Sequence, residues 1–88
     1  MTRVQVIESL RRIGAEEGAS RIAESHGMSL HKALSGDRHL SIARTRRQII
    51  ACVAWTMGLS SVEAGRIFGV HHTTVLHHLR TREAELAR

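Results

Sequence analysis

Apolar positions recur at helical spacing along almost the whole chain. Val4, Ile7, Leu10 and Ile13 return every three residues with Val6 beside them, which predicts an amphipathic helix from Thr2 to Glu17. Gly14 should weaken its end and Gly18 should close it. A second short helix follows over Ala19 to His26, with Ile22 and Ala23 inward, Gly27 as its stop and Met28 as the apolar residue after the cap. Ser29 is placed to cap a third, Leu30 to Leu34, stopped by Ser35 and Gly36. A polar connection, Asp37 to Leu40, leads to the longest pattern. It runs from Ser41 to Met57, with Ile42, Ile49, Ile50, Val53 and Met57 on the buried side, and Gly58 ends it. The face taken by Trp55 is not fixed by the pattern.

Leu59 to Leu79 then repeats the theme in tighter form. Ser60 or Ser61 can cap a helix, and Glu63 stands where a capping-box acid reaches back to Ser60. Val62, Gly65, Ile67 and Phe68 give small and apolar positions. Gly69 follows as a C-cap that needs positive φ. Only Val70 and His71 separate it from a second run beginning at His72, where Val75, Leu76 and Leu79 share one buried face. That run should continue through Thr81 to Ala87. Gly65 removes a side chain where two helices would cross closely. This is the spacing of a helix-turn-helix, whose second helix can enter the major groove of DNA. A plain helical hairpin with a glycine turn fits the same pattern.

Composition narrows the picture. Eighty-eight residues without proline, 42% of them apolar, make one small all-α domain. Phe68 and Trp55 are the only aromatics, too few for a stacking platform that binds single strands. Cys52 is alone and reads as a buried thiol. The start lacks the apolar core of a signal peptide, and the longest apolar run, residues 49–56, is too short to span a bilayer. A soluble cytoplasmic protein is expected.

Charge sharpens it further. The net charge is +5, but residues 1–37 and 81–88 are each balanced. Residues 38–80 hold six arginines against Glu63 alone. A polyanionic partner accounts for that asymmetry better than solubility does. Arg44, Arg46 and Arg47 also lie in the first two turns of the long helix, where cations oppose the helix dipole. Three guanidinium groups beside free backbone N–H groups make a phosphate site.

The order of these segments resembles the C-terminal DNA-binding domain of the bacterial replication initiator DnaA, from about Ser20 to Ala87. RIAESHGMSLHKALSG is similar to that domain's first two helices, and SIARTRRQ to its basic segment. SSVEAGRIFGVHHTTVLHHLR follows the family pattern Ser-Leu-x-Glu-Ile-Gly-x-x-Phe-Gly-Gly-Arg-Asp-His-[Ser/Thr]-Thr-Val-Leu-His. The string His-Thr-Thr-Val-Leu-His is the specific part. The resemblance implies a compact all-helical domain of the Trp-repressor-like class, with residues 1–18 as an N-terminal helix extension and 19–88 as the DNA-binding domain. His72, Thr73 and Thr74 match the family's base- and phosphate-contacting residues. Arg47 matches a phosphate-binding arginine and Arg44 an earlier basic position, with Arg46 between them. Arg38 is the counterpart of the minor-groove arginine, with His39 as the competing position. Ser61 and Val62 match the helix start whose N–H groups face phosphate. In place of the family's Gly-Arg-Asp stand only Val70 and His71. His71 is kept among the DNA-binding candidates but cannot replace the aspartate as an anionic acceptor for cytosine. The docking mode carries over and the recognised sequence does not. This sequence holds no P-loop, so a free-standing regulator of replication or transcription, rather than an ATP-driven initiator, is expected.

Other chemistry is set aside. The seven histidines do not fall at metal-ligand spacing, and no nucleophile, base and acid combine into a catalytic arrangement. A non-enzymatic protein without cofactor or metal is expected, with His77 packed within the fold. Its expected partner is double-stranded DNA. Two alternatives stay open: a protein-interaction module that modulates a replication initiator or regulator, and a detached domain of a mobile-element system. The N-terminal helix could pack on its own domain or pair with a second copy to form a homodimer.

Overall fold

The computed structural model describes residues 2–86, and these form six α-helices with no strand among them. They are α1 (Arg3–Arg12), α2 (Glu16–Ser25), α3 (Leu30–Ala33), α4 (Leu40–Thr56), α5 (Ser61–Phe68) and α6 (His72–Leu86). The expected end of the last helix at Ala87 lies outside the described residues.

The helix starts follow from local hydrogen bonding. Thr2 caps α1 in a reciprocal box: Gln5 N–H donates to Thr2 Oγ1 at 3.3 Å, and Thr2 N–H donates to Gln5 Oε1 at 2.8 Å. Ser29 caps α3 by accepting from Lys32 N–H at 3.2 Å. The expected boundary between the first two helices is wrong. Gly14, not Gly18, breaks the chain, with φ +75°, and Ala15 N–H donates back to Leu10 O at 2.8 Å. That bond satisfies an orphan carbonyl of α1 and frees α2 to start at Glu16, where Glu16 and Glu17 complement its dipole. Gly18 sits inside α2, so a division of the chain at residue 18 cuts a helix.

The same closure recurs after α2, α4 and α5, where Met28, Leu59 and Val70 N–H groups reach back to Ala23, Ala54 and Gly65 carbonyls. Each of these residues, like Ala15, then folds its own side chain onto the core. Helix stop and core seal are therefore one device, repeated four times.

α4 runs through the centre and touches α2, α3, α5 and α6, while α1 lies across α2, α3 and α5. Leu10, Ile49 and Val75 are fully buried, and Ala19, Ala23, Ala33 and Ala64 let the backbones approach around them. α1 contributes Val6, Ile7 and Leu10 to this core, so it packs on its own chain. Val4, expected inward, is 57% exposed. A strict three-residue repeat drifts by about 60° per step on an α-helix, which turns Val4 away from Leu10. Met57, also expected inward, is 39% exposed because α4 stops at Thr56 and Met57 lies in the cap turn. Trp55 points outward, 75% exposed. Cys52, expected as a buried thiol, is half-buried. No helix among the described residues is long and apolar enough to cross a membrane.

Candidate nucleic-acid interface

α5 begins with the capping box that its sequence encodes. Ser60 Oγ accepts from Glu63 N–H, and Ser60 N–H donates to Glu63 Oε1, both at 3.1 Å. Those bonds, the backbone one first, hold the Glu63 carboxyl below its ordinary range. Ser61 and Val62 occupy the first turn, ahead of the first intrahelical bond, which Ala64 donates to Ser60 O at 2.9 Å. Their N–H groups therefore precede the helix's own ladder, as a phosphate contact would need.

The α5–α6 corner is built around two glycines. Gly69 adopts φ 69° and ψ 33°, a left-handed cap that a residue with a side chain resists. Gly65 lies where the turn folds back: a Cβ there would stand 2.7 Å from Val70 O and 3.4 Å from His72 N. The close approach foreseen at Gly65 is thus between α5 and the backbone of the turn itself.

His71 stands at the head of α6. Its carbonyl accepts from Thr74 N–H at 3.0 Å, and its ring Nδ1 accepts from Thr73 N–H at 3.3 Å. The Thr73 hydroxyl lies 2.7 Å from the same Nδ1. An accepting Nδ1 puts the ring proton on Nε2, so His71 offers outward a donor and no acceptor. The His72 ring stacks beside it, with centroids 4.2 Å apart. The sequence gives α6 no serine or aspartate cap, and His71 fills that place.

Val75 is the buried anchor of α6. His72, Thr73, His77 and Arg80 are exposed, and Thr73, His77 and Arg80 follow one another at four and three residues along one outer face. His77, expected within the fold, faces solvent, and its neighbour His78 is the half-buried one. Thr74, four residues before His78, shares the side of α6 turned to α4. Arg80 was missed in the sequence although its spacing from Thr73 marks it.

The basic residues of α4 divide. Arg46 donates to Ser35 O at 2.6 Å and Asp37 O at 3.4 Å, bracing the loop before α4. It is a strut of that loop, which accounts for an arginine against the dipole without any outside anion. Arg38 is exposed in the same loop, and the His39 ring is bonded to Ser41 Oγ at 3.0 Å. Arg44 and Arg47 instead line an open groove of about 390 Å³ between α4 and α6. Gln48, His78, Thr81 and Arg82 line it too, and His26 at the end of α2 closes it, bonded to Gln48 Oε1 at 2.7 Å. The last five escaped the sequence reading, because three separate helices supply the wall.

His78 Nδ1 is shielded from solvent without a hydrogen-bond partner. Burial, then the charges of Arg47, His77 and Arg46, push the His78 pKa below its ordinary value. The unfolded chain therefore binds this proton more readily than the folded one. Stability contributed by neutral His78 is full above about pH 6.5 and declines as pH falls from there through the lowered folded pKa. Unfolding midpoints measured from pH 7.5 to 5 should drop, and His78→Gln should flatten that part of the curve. An unchanged slope in His78→Gln would assign the loss to other groups.

The clustered histidines bring no three His, Cys, Asp or Glu side chains together for a metal ion among the described residues. Comparisons with models of known families, with curated proteins and with solved structures find no match to this chain.

Proposed function

We propose that the chain is a sequence-reading, double-stranded DNA-binding protein whose α5 and α6 act as a helix-turn-helix. The observation that carries this is the setting of α6. Its outer face presents His72, Thr73, His77 and Arg80 to solvent, while Arg44, Arg47 and Arg82 flank its α4 side with no ion pair among the described residues. A polar helix face beside uncompensated guanidinium groups matches what a major groove and its phosphates require. The sequence resemblance to the DnaA C-terminal domain supports the same docking, in the Trp-repressor-like class. In this reading Thr73 and His72 face bases, Thr74, Arg44, Arg47 and the first turn of α5 at Ser61 and Val62 face phosphate, and Arg38 reaches the adjacent minor groove. His71 contributes its outward Nε2–H. The role would be control of replication or transcription, without catalysis. A protein-interaction role has less surface to use on α1, which buries Val6, Ile7 and Leu10 and leaves only Val4 of its apolar stripe exposed; Leu40, Trp55, Val62 and Leu86, the other large apolar side chains most exposed among the described residues, are scattered over three other helices.

Titration with mixed duplex DNA at low and moderate salt tests the proposal. Binding no tighter than roughly 100 µM, the weak end of nonspecific affinity, would end it. Arg47→Ala should weaken binding to every sequence alike and reduce the salt slope by about one. Thr73→Ala should spare random duplexes and erode preference for a selected site. Identical behaviour of the two variants on specific and random duplexes would refute the assigned roles.

A further inference from the structure

The groove between α4 and the C-terminal half of α6 contains more than duplex docking by the outer face of α6 uses. One ring nitrogen of His78, Nδ1, is cut off from solvent and unpartnered, yet the ring lines the groove. The polar atom it turns to the groove is therefore Nε2. A neutral imidazole carries a single proton. A buried donor left without an acceptor is the rarer arrangement, so the proton belongs on Nε2, where it can reach a partner in the groove, and Nδ1 keeps a bare lone pair. Burial and the cations on α4 keep the ring neutral at pH 7. His78 thus offers the groove a neutral N–H donor.

The other polar groups point the same way. Arg44, Arg47 and Arg82 have no carboxylate within 4.0 Å among the described residues. Gln48 Oε1 is taken by His26, which leaves its amide N–H groups. The Thr81 hydroxyl donates to His77 O at 2.9 Å and so is the one hydroxyl acceptor in the wall. Glu85 is the single acid there, against three guanidinium groups. A cleft whose unpaired polar atoms are nearly all donors, with excess positive charge, is complementary to an anion with several acceptor oxygens. Its volume of about 390 Å³ lies at the low end of small-ligand clefts.

We propose that this groove seats one phosphate group, with Arg82 and Arg44 joining Arg47 to supply charge and His78 Nε2–H as a neutral donor. The phosphate can belong to a duplex backbone beside the α6 contacts or to a free phosphate. The proposal rests on the duplex reading for the first source only.

The test uses the full chain, ¹⁵N-labelled, at pH 7 and constant ionic strength. Inorganic phosphate is exchanged for chloride in one series, and a short mixed duplex is added in another. The His78 ring should be in the Nε2–H form before any addition. Phosphate should produce saturable shifts at His78 and at the Arg44, Arg47 and Arg82 Nε–H groups. Arg82→Gln should weaken that binding roughly ten- to a hundredfold, the scale of one hydrogen bond to a charged group. His78→Ala should weaken it, and His78→Gln, which keeps a donor, should restore part of it. If His78→Ala unfolds, Arg82→Gln on the helix surface still decides the matter. Groove shifts with duplex alone, lost in Arg82→Gln, identify the backbone as the source and support the seat. Shifts with phosphate and no duplex binding support the seat and remove the duplex reading. Duplex binding with still groove signals and no response to phosphate overturns the seat and leaves the duplex reading standing. An Nδ1–H or doubly protonated His78 at pH 7 overturns its part.

Discussion

Leu10→Ala should destabilise the chain by about 3 kcal/mol, within the range of roughly 2–5 kcal/mol for truncating a fully buried leucine. Leu10 is 0% exposed and belongs to the core cluster that also contains Ile49, Phe68 and Val75. Its carbonyl also receives the Ala15 N–H that closes α1. α1 touches α2, α3 and α5, so a cavity at Leu10 opens beneath three other helices. A domain of this size has a total stability of only about 4–13 kcal/mol, so this one truncation consumes a large part of it. Urea unfolding measures the change, with the midpoint falling and the slope unchanged. The probe should sit outside α1: amide hydrogen exchange at the buried Ile49 and Ile50 of α4, followed beside the Trp55 signal, reports on the rest of the domain. An α1 that were merely appended would leave the α4 transition where it was. Such a result would separate α1 from the core, leaving room for it to serve a second copy or another protein.

Helix stops are the most legible part of the sequence, because each is a local event. A glycine that can take positive φ, followed by an apolar residue that covers the core, needs only two adjacent positions. Gly27, Gly58 and Gly69 are legible on that basis, and all three take positive φ. Gly14 and Gly18 are not told apart in the same way, since both are glycines near a helix end and only packing decides which one turns left-handed. Ala15 decides it: once its side chain is buried and its N–H reaches Leu10 O, the break must fall at Gly14.

The site is legible to the extent that it is local. The α5 cap, the Gly69 turn and the start of α6 at His72 all follow from spacing. The groove does not, since His26, Gln48 and Arg82 come from three parts of the chain and meet only through tertiary packing. The exchange of roles between His77 and His78 has the same origin. Adjacent residues on a helix point about 100° apart. Val75, Leu76 and Leu79 alone do not fix the rotation of α6 against α4 tightly enough to choose between them. Arg46 shows the limit of charge reading. Its position against the dipole looks like an open anion site, while the carbonyls of Ser35 and Asp37 explain it within the chain.

Gly65→Ala should cost about 2–3 kcal/mol, although alanine is the better helix former by about 1 kcal/mol. The added Cβ would lie 2.7 Å from Val70 O, a backbone atom that no side-chain rotation can move aside. Val70 is also tied to the same residue, its N–H donating to Gly65 O at 2.9 Å, so relief requires stretching the turn that ends α5. Any such shift displaces His71 and the start of α6, which carries the residues assigned to bases. Gly18→Ala supplies the control. Gly18 lies inside α2, and a Cβ added there would meet no atom within 4 Å, so the same change should stabilise by about 0.5–1 kcal/mol. Opposite signs for one chemical substitution in two helices would locate the cost of the first in the contact with the turn. Duplex affinity should follow: weakened in Gly65→Ala at a temperature where the variant is folded, unchanged in Gly18→Ala. Equal and small effects of both on unfolding would mean that α5 and the turn stand further apart than 2.7 Å implies, and the corner that presents α6 would lose its physical basis.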